Sequence, residues 1–227
     1  MNKKLLFRDL GTMDYQKAWD LQEEIFQQMM AGRTIEMTEA GRLLFVEHPH
    51  VYTLGKSGSD SNLLVNEDFL RSKGATFYHI NRGGDITYHG PGQLVGYPIL
   101  NLERFGLGLR DYIYRLEEAV IRTLKHFSIE ASRLEGAIGV WLDPEDKAQS
   151  RKICAIGVRA SRSITMHGFA FNINTDLDFY NFINPCGFTD RGVTSMEKEL
   201  GSRQDLNSVK DLLKTEISQV FDAEILD

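Results

Sequence analysis

The chain's two thiols, Cys154 and Cys186, sit in contrasting surroundings. Cys186 lies between Pro185 and Gly187 in the run INPCGF, so it belongs to a turn. There it is accessible, and neighbouring backbone N–H groups can face an incoming carbonyl. Cys154 lies inside the apolar run KICAIGVRA, where a cysteine ordinarily serves as a small core residue. Standing 32 positions apart and with no Cys-x-x-Cys pair, they make neither a disulfide scaffold nor a four-cysteine zinc site. His48 and His50 flank Pro49 without a third ligand at a recognisable spacing, so no metal is expected.

The densest feature is RGGDITYHGPGQLVGYP over 82–98, with five glycines among seventeen residues. Glycine lets backbone approach a ligand closely and reach positive φ, and Arg82 and His89 can donate to a carbonyl or a phosphate. The same stretch also reads as a glycine-rich turn between strands carrying a surface arginine. No Gly-Lys-Ser/Thr closes it and no Gly-x-Gly-x-x-Gly precedes a helix, so neither a nucleotide P-loop nor a dinucleotide site is supported. In Arg151–Arg159, strand alternation puts Lys152, Cys154 and Ile156 on one face and Ile153, Ala155 and Gly157 on the other. A lysine on a strand is ordinarily a solvated edge charge, and His167 in MHGFAFNIN taken alone reads as a structural histidine.

Three long segments have helical period. Apolar residues recur through 15–29 up to Gly32, through 112–127 after Asp111 as a plausible N-cap, and through 209–221. A shorter helix fits 67–73, stopped by Gly74. Strand-like runs cover 43–48, 51–54, 76–80, 93–100, 137–142, 152–160 and 165–174. Many follow one another without an intervening helix, which excludes a purely parallel βαβ arrangement. The expected class is α+β, a mixed or antiparallel sheet covered by helices.

The 227 residues, 42% hydrophobic and 26% charged, fit one globular domain over 1–227 and exclude disorder, collagen and coiled coil. No apolar run is long enough for a membrane span or a signal-peptide core, so a cytoplasmic protein with reduced thiols is expected. The formal charge of −6 argues against a nucleic-acid binder. Between Lys147 and Thr175 lie five basic residues (Lys147, Arg151, Lys152, Arg159, Arg162) and no acidic one. Taking that +5 from −6 leaves −11 elsewhere, a basic island suited to an acidic partner.

Together the stretches RGGDITYHGPGQ (82–93), KICAIG (152–157), HGFAFNIN (167–174) and INPCG (183–187) resemble the lipoyl(octanoyl) transferase family. FVEHPHVYTLGK (45–56) and GVWLDPE (139–145) also look familial, and the resemblance covers about residues 5–215. It implies the fold of the biotin/lipoate protein ligase superfamily, related to class II aminoacyl-tRNA synthetases. It implies transfer of an octanoyl group from octanoyl-acyl carrier protein to one lysine of a lipoyl domain. The targets would be E2 subunits of 2-oxoacid dehydrogenases and the glycine-cleavage H protein. Neither a cofactor nor a metal is implied. By position, Cys186 matches the nucleophile and Lys152 its partner, which would favour the thiolate and shuttle a proton; His167 is the alternative base. Arg82, Gly83, Gly84, Asp85, Ile86, Thr87, Tyr88 and His89 match substrate-binding positions. So do Ala155, Ile156 and Gly157, together with His167, Gly168, Phe169 and Ala170. Oxyanion donors are expected among these three stretches, and Tyr88, Ile156, Val158 and Phe169 are candidates for an apolar acyl slot.

Two rivals follow. An ATP-dependent lipoate or biotin ligase of the same fold needs no nucleophilic cysteine, and a non-catalytic carrier-binding protein needs neither Cys186 nor Lys152. A monomer is expected, because no unusually apolar surface stretch stands out.

Overall fold

The computed structural model describes residues 3–32, 39–184 and 191–227. The strands are β1 (Lys3–Thr12), β2 (Glu39–Glu47), β3 (Val51–Leu54), β4 (Thr76–His79), β5 (Ile86–His89) and β6 (Gln93–Leu100). They continue as β7 (Ser132–Leu134), β8 (Ala137–Leu142), β9 (Arg151–Ser161), β10 (Ile164–Asn172), β11 (Gly192–Val193) and β12 (Ala223–Leu226). The helices are α1 (Tyr15–Met30), α2 (Glu67–Ser72), α3 (Leu102–Phe105), α4 (Leu109–Lys125), α5 (Met196–Leu200) and α6 (Leu206–Phe221).

Among the described residues the main sheet runs β12-β1-β2-β6-β10-β9-β8-β7, with β11 also paired to β9. A small second sheet runs β4-β3-β5. Parallel pairs (β1 with β12 and β2) and antiparallel pairs (β2, β6, β10, β9, β8) coexist, giving the mixed sheet that the short inter-strand links required. The central strands are buried on both faces. Leu43, Phe45, Phe169 and Phe171 pack with α4 and α6, whereas Leu44, Val46, Met166 and Ala170 pack with α1. Alternate residues thus serve opposite layers, so neither face of these strands is free to be polar. The small sheet has its own cluster of Tyr52, Leu54, Ile86 and Tyr88, closed by a 3-10 helix over Leu177–Phe182.

The three long helices occupy the segments their apolar spacing marked. α4, however, begins at Leu109, with Gly108 as a cap that makes no side-chain hydrogen bond. Asp111 lies in the first turn, where its charge favours the positive end of the helix dipole. Among the described residues, no helix is long and apolar enough to cross a membrane.

Candidate active site

A cavity of about 580 Å³ opens where β8 and β9 part. Their pairing covers only Val140–Leu142 against Cys154–Arg151, although both strands continue past it. Gly139, at φ +127°, turns β8 at that point, and a Cβ there would lie 2.6 Å from the Cys154 carbonyl oxygen. Ile138 and Ile156, beyond the last pair, both line the opening.

The wall combines the three stretches singled out in the sequence. Residues 82–87 and His89, then 155–157, then 167–170, all line the cavity, and so does Lys152. One contact and one close approach join them. Gly83 N–H donates to the Val158 carbonyl (2.9 Å), fastening the glycine loop to β9. Gly157 and Gly168 lie opposite each other across β9 and β10, and a Cβ on Gly168 would come 2.2 Å from the Gly96 carbonyl oxygen. Glycine there is a packing requirement, since any side chain would push β6 and β10 apart.

The inner end is buried and rigidly bonded. The Arg82 guanidinium, 7% exposed, donates to the Thr53 carbonyl (2.8 Å) and hydroxyl (3.0 Å) and to the Gly83 carbonyl (3.0 Å). His89 donates from Nδ1 to Gln93 Oε1 (2.8 Å), which leaves Nε2 to accept from Thr53 Oγ1 (3.4 Å). Both ring nitrogens are therefore engaged within the protein, so His89 shapes the wall instead of offering a free donor. His48 donates to the Met13 carbonyl (2.8 Å) and accepts from the Tyr97 hydroxyl (2.7 Å). Burial lowers the pKa of His89 to about 3 and of His48 to about 4. His167 is lowered to about 3 by burial, then by the charges of Arg82 and Arg159. All three rings are neutral near pH 7. His167 donates from Nε2 to Asn81 Oδ1 (2.8 Å), and its Nδ1 is buried with no hydrogen-bond partner among the described residues. Its backbone has φ +62°, a left-handed conformation within a strand.

The outer end is charged. Lys152 Nζ lies 4.6 Å from the centre of the Trp141 ring, and its stem passes over Gly139, where a Cβ would be 3.4 Å from Lys152 Cε. At this end β9 is flanked by β8 through Trp141↔Lys152 and by β11 through Val193↔Lys152. Lys152 and Cys154 pair with adjacent residues of β8, leaving Ile153 as a bulge. The simple alternation expected across 152–157 is broken there. Cys154 is fully buried, and burial raises its thiol pKa strongly, which leaves it a packing residue. Cys186 lies outside the described residues.

One further expectation is revised, and two gain structural detail. Tyr88 does not line the cavity. It faces the small sheet's own cluster, its hydroxyl hydrogen-bonded to His50 Nδ1 (2.7 Å) and its ring stacked on Phe179. Alternation along β5 turns Thr87 and His89 to the cavity and Tyr88 away. The Asp85 carboxylate is spent on the Ile86 amide and on Asn62 Nδ2 (both 2.6 Å), and the Asn62 carbonyl in turn accepts from Asn184 N–H. Two of the five cations of the basic island are paired within the molecule. Arg151 pairs with Asp143 and Glu199, and Arg159 pairs with Glu23 (3.2 Å) while lying over Phe26. Nothing in the residue pattern marked the aromatic floor, Tyr15 and Tyr97, or Leu109 and Ile113 from α4 at the rim, as part of the site.

The fold and several relatives agree on ancestry. The family model for the lipoyl protein ligase A/B catalytic domain matches residues 14–218. The chain is 53% identical to an octanoyltransferase of Parabacteroides distasonis, over 95% of this chain and 97% of that one. It is 51% identical to an octanoyltransferase of Flavobacterium johnsoniae over the full length of both. Among solved structures, a putative lipoate protein ligase of T. acidophilum with bound lipoic acid superposes with TM-score 0.69 at 15% identity, covering 100% of this chain and 88% of that one. A biotin protein ligase of Aquifex aeolicus gives TM-score 0.52 at 14% identity, covering 98% and 71%. The chain belongs to the lipoyl protein ligase A/B catalytic-domain family and, within it, to the octanoyltransferases.

Proposed function

We propose that this enzyme carries an octanoyl group from octanoyl-acyl carrier protein, through a thioester on Cys186, to one lysine of a lipoyl domain. The acceptors are E2 subunits of 2-oxoacid dehydrogenases and the glycine-cleavage H protein. The observation that carries the reading is a cavity with hydrogen-bonded neutral histidines at one end and Lys152 at the other, where β11 returns from the Cys186 segment. An apolar acyl chain suits the uncharged interior, and a reacting carbonyl suits the end beside Lys152.

The cycle balances with two groups. The Cys186 thiolate attacks the thioester carbonyl and the carbon–sulfur bond to the carrier breaks. The Lys152 ammonium gives its proton to the departing sulfur. A neutral target lysine then attacks the new thioester, Lys152 takes the amine proton, and the amide forms as Cys186 leaves as thiolate. Each attack develops an oxyanion. The Val158 carbonyl points from β9 to Gly83, so the Ile156 N–H, two residues back on the same strand edge, faces the opening and is a fitting donor. We further propose one catalytic domain over 1–227 that works as a cytoplasmic monomer.

Intact mass after mixing with octanoyl-acyl carrier protein tests the reading. One octanoyl adduct, removed by hydroxylamine and missing in Cys186→Ala, is expected. An undiminished adduct in that variant refutes the nucleophile, and turnover of free octanoate with ATP refutes the donor.

A further inference from the structure

The two-residue strand β11 is too short to hold itself on the sheet, yet it is the first described strand that follows Cys186 in the chain. Its two ladder partners are Arg151 and Lys152. What fixes it is a carboxylate from another element. Glu199 on α5 takes a two-pronged bond from Arg151, Nε to Oε1 and Nη2 to Oε2, each 2.7 Å. The same Oε1 accepts the Thr194 hydroxyl (2.5 Å), and Thr194 N–H donates to the Lys152 carbonyl (2.9 Å). From the opposite side, Asn172 Nδ2 donates to the Thr194 carbonyl (3.0 Å), while its Oδ1 accepts from Gln93 Nε2 (2.9 Å). Arg191 adds bonds to Ser150 Oγ (2.8 Å) and the Pro144 carbonyl.

We propose that Glu199 is a positioning residue for acyl transfer: it locks β11 to β9 at Arg151 and Thr194, the residues on either side of the Lys152–Val193 pair. This rests on the roles proposed for Lys152 and Cys186. The chemistry fits the task. A planar guanidinium meeting a carboxylate through two parallel bonds fixes direction as well as distance, which a single contact would not. The Arg151 hydrogen bonds hold the Glu199 carboxyl below the usual carboxylate range, so it stays charged through the working pH range. The Arg151 charge that the sequence suggested for a partner is thus used inside the molecule.

Steady-state kinetics of Glu199→Ala, Glu199→Gln and Lys210→Met test this. Lys210 pairs with Asp9 (2.9 Å) between α6 and β1 and is a stability control away from the cavity. For Glu199→Ala, kcat is expected to fall on the order of 10-fold or more, because small misplacements of reacting groups are costly. KM for octanoyl-acyl carrier protein should stay within about 2-fold, since the cavity walls from 82–87 and 167–170 are untouched. The pH profile of adduct formation should move upward, toward the ordinary thiol value of about 8.5, as the lysine is less well placed. Glu199→Gln, which keeps the shape and one acceptor, should lie between, and remains informative if the alanine variant does not fold. Lys210→Met should lower Tm with kcat unchanged. Wild-type kcat and an unmoved pH profile in both Glu199 variants, with only Tm reduced, overturn the proposal. A wild-type enzyme that forms no octanoyl adduct overturns the underlying reading and this one with it.

Discussion

The two ends of the cavity are built on opposite principles. At the inner end, burial and fixed hydrogen bonds hold His89 and His167 neutral around the Arg82 guanidinium. At the outer end, Lys152, Arg151, Asp143, Glu199 and Arg191 are part-exposed and charged, and they meet on a short strand and one indole ring. The inner histidines keep their protons fixed near neutral pH. The outer end stands partly open to solvent, as the proton shuttle proposed for Lys152 requires.

The sharpest way to break this contrast is Lys152→Ala. Acylation measured by intact mass should slow on the order of 10²-fold or more, with circular dichroism unchanged. An added methyl at the inner end should instead act on stability. In Gly168→Ala the new Cβ meets the Gly96 carbonyl at 2.2 Å, so stability should drop by about 1–3 kcal/mol in urea titration, with KM raised. Acid should act on the inner end first. Its histidines are neutral when folded, whereas in the unfolded chain they gain protons below about 6.5. Stability should be full above that value and decline as pH falls toward the folded values of about 3 to 4, by roughly 1.4 kcal/mol per pH unit for each of His48, His89 and His167. A flat stability curve from pH 7 to 5 would remove the neutral-histidine account. The smallest effect is expected for Tyr88→Phe, which removes the His50 hydrogen bond. It should cost about 1 kcal/mol and leave kcat within about 2-fold, because Tyr88 faces away from the cavity.

The layers were legible where burial imposes a helical period, as in α1 and α6, or an unbroken apolar run, as in β6 and β8. They were illegible where burial is partial. KKLLFRDLGT mixes charge and apolar residues because β1 is partly exposed, and it carried no alternation to read. The start of α4 was misplaced because Gly108 offers no capping side chain, so Asp111 drew attention three residues too late. Within the site, the family resemblance named three segments that line the cavity, whereas residue types alone singled out only the glycine-rich run at 82–98. Their direction was another matter. Tyr88 shares a motif with His89 but faces elsewhere, and the bulge at Ile153 is a property of strand pairing that β9 alone does not encode. The partners of two island residues were hidden for a related reason: Glu23, Asp143 and Glu199, which pair with Arg159 and Arg151, come from other parts of the chain.

The left-handed backbone at His167 carries a consequence for selection. A side chain at φ +62° costs on the order of 1 kcal/mol that glycine would not. A search for heat-resistant variants that ignores turnover should therefore find His167→Gly or His167→Asn quickly. Retention of histidine under selection for activity would then measure what the ring is worth to the living cell.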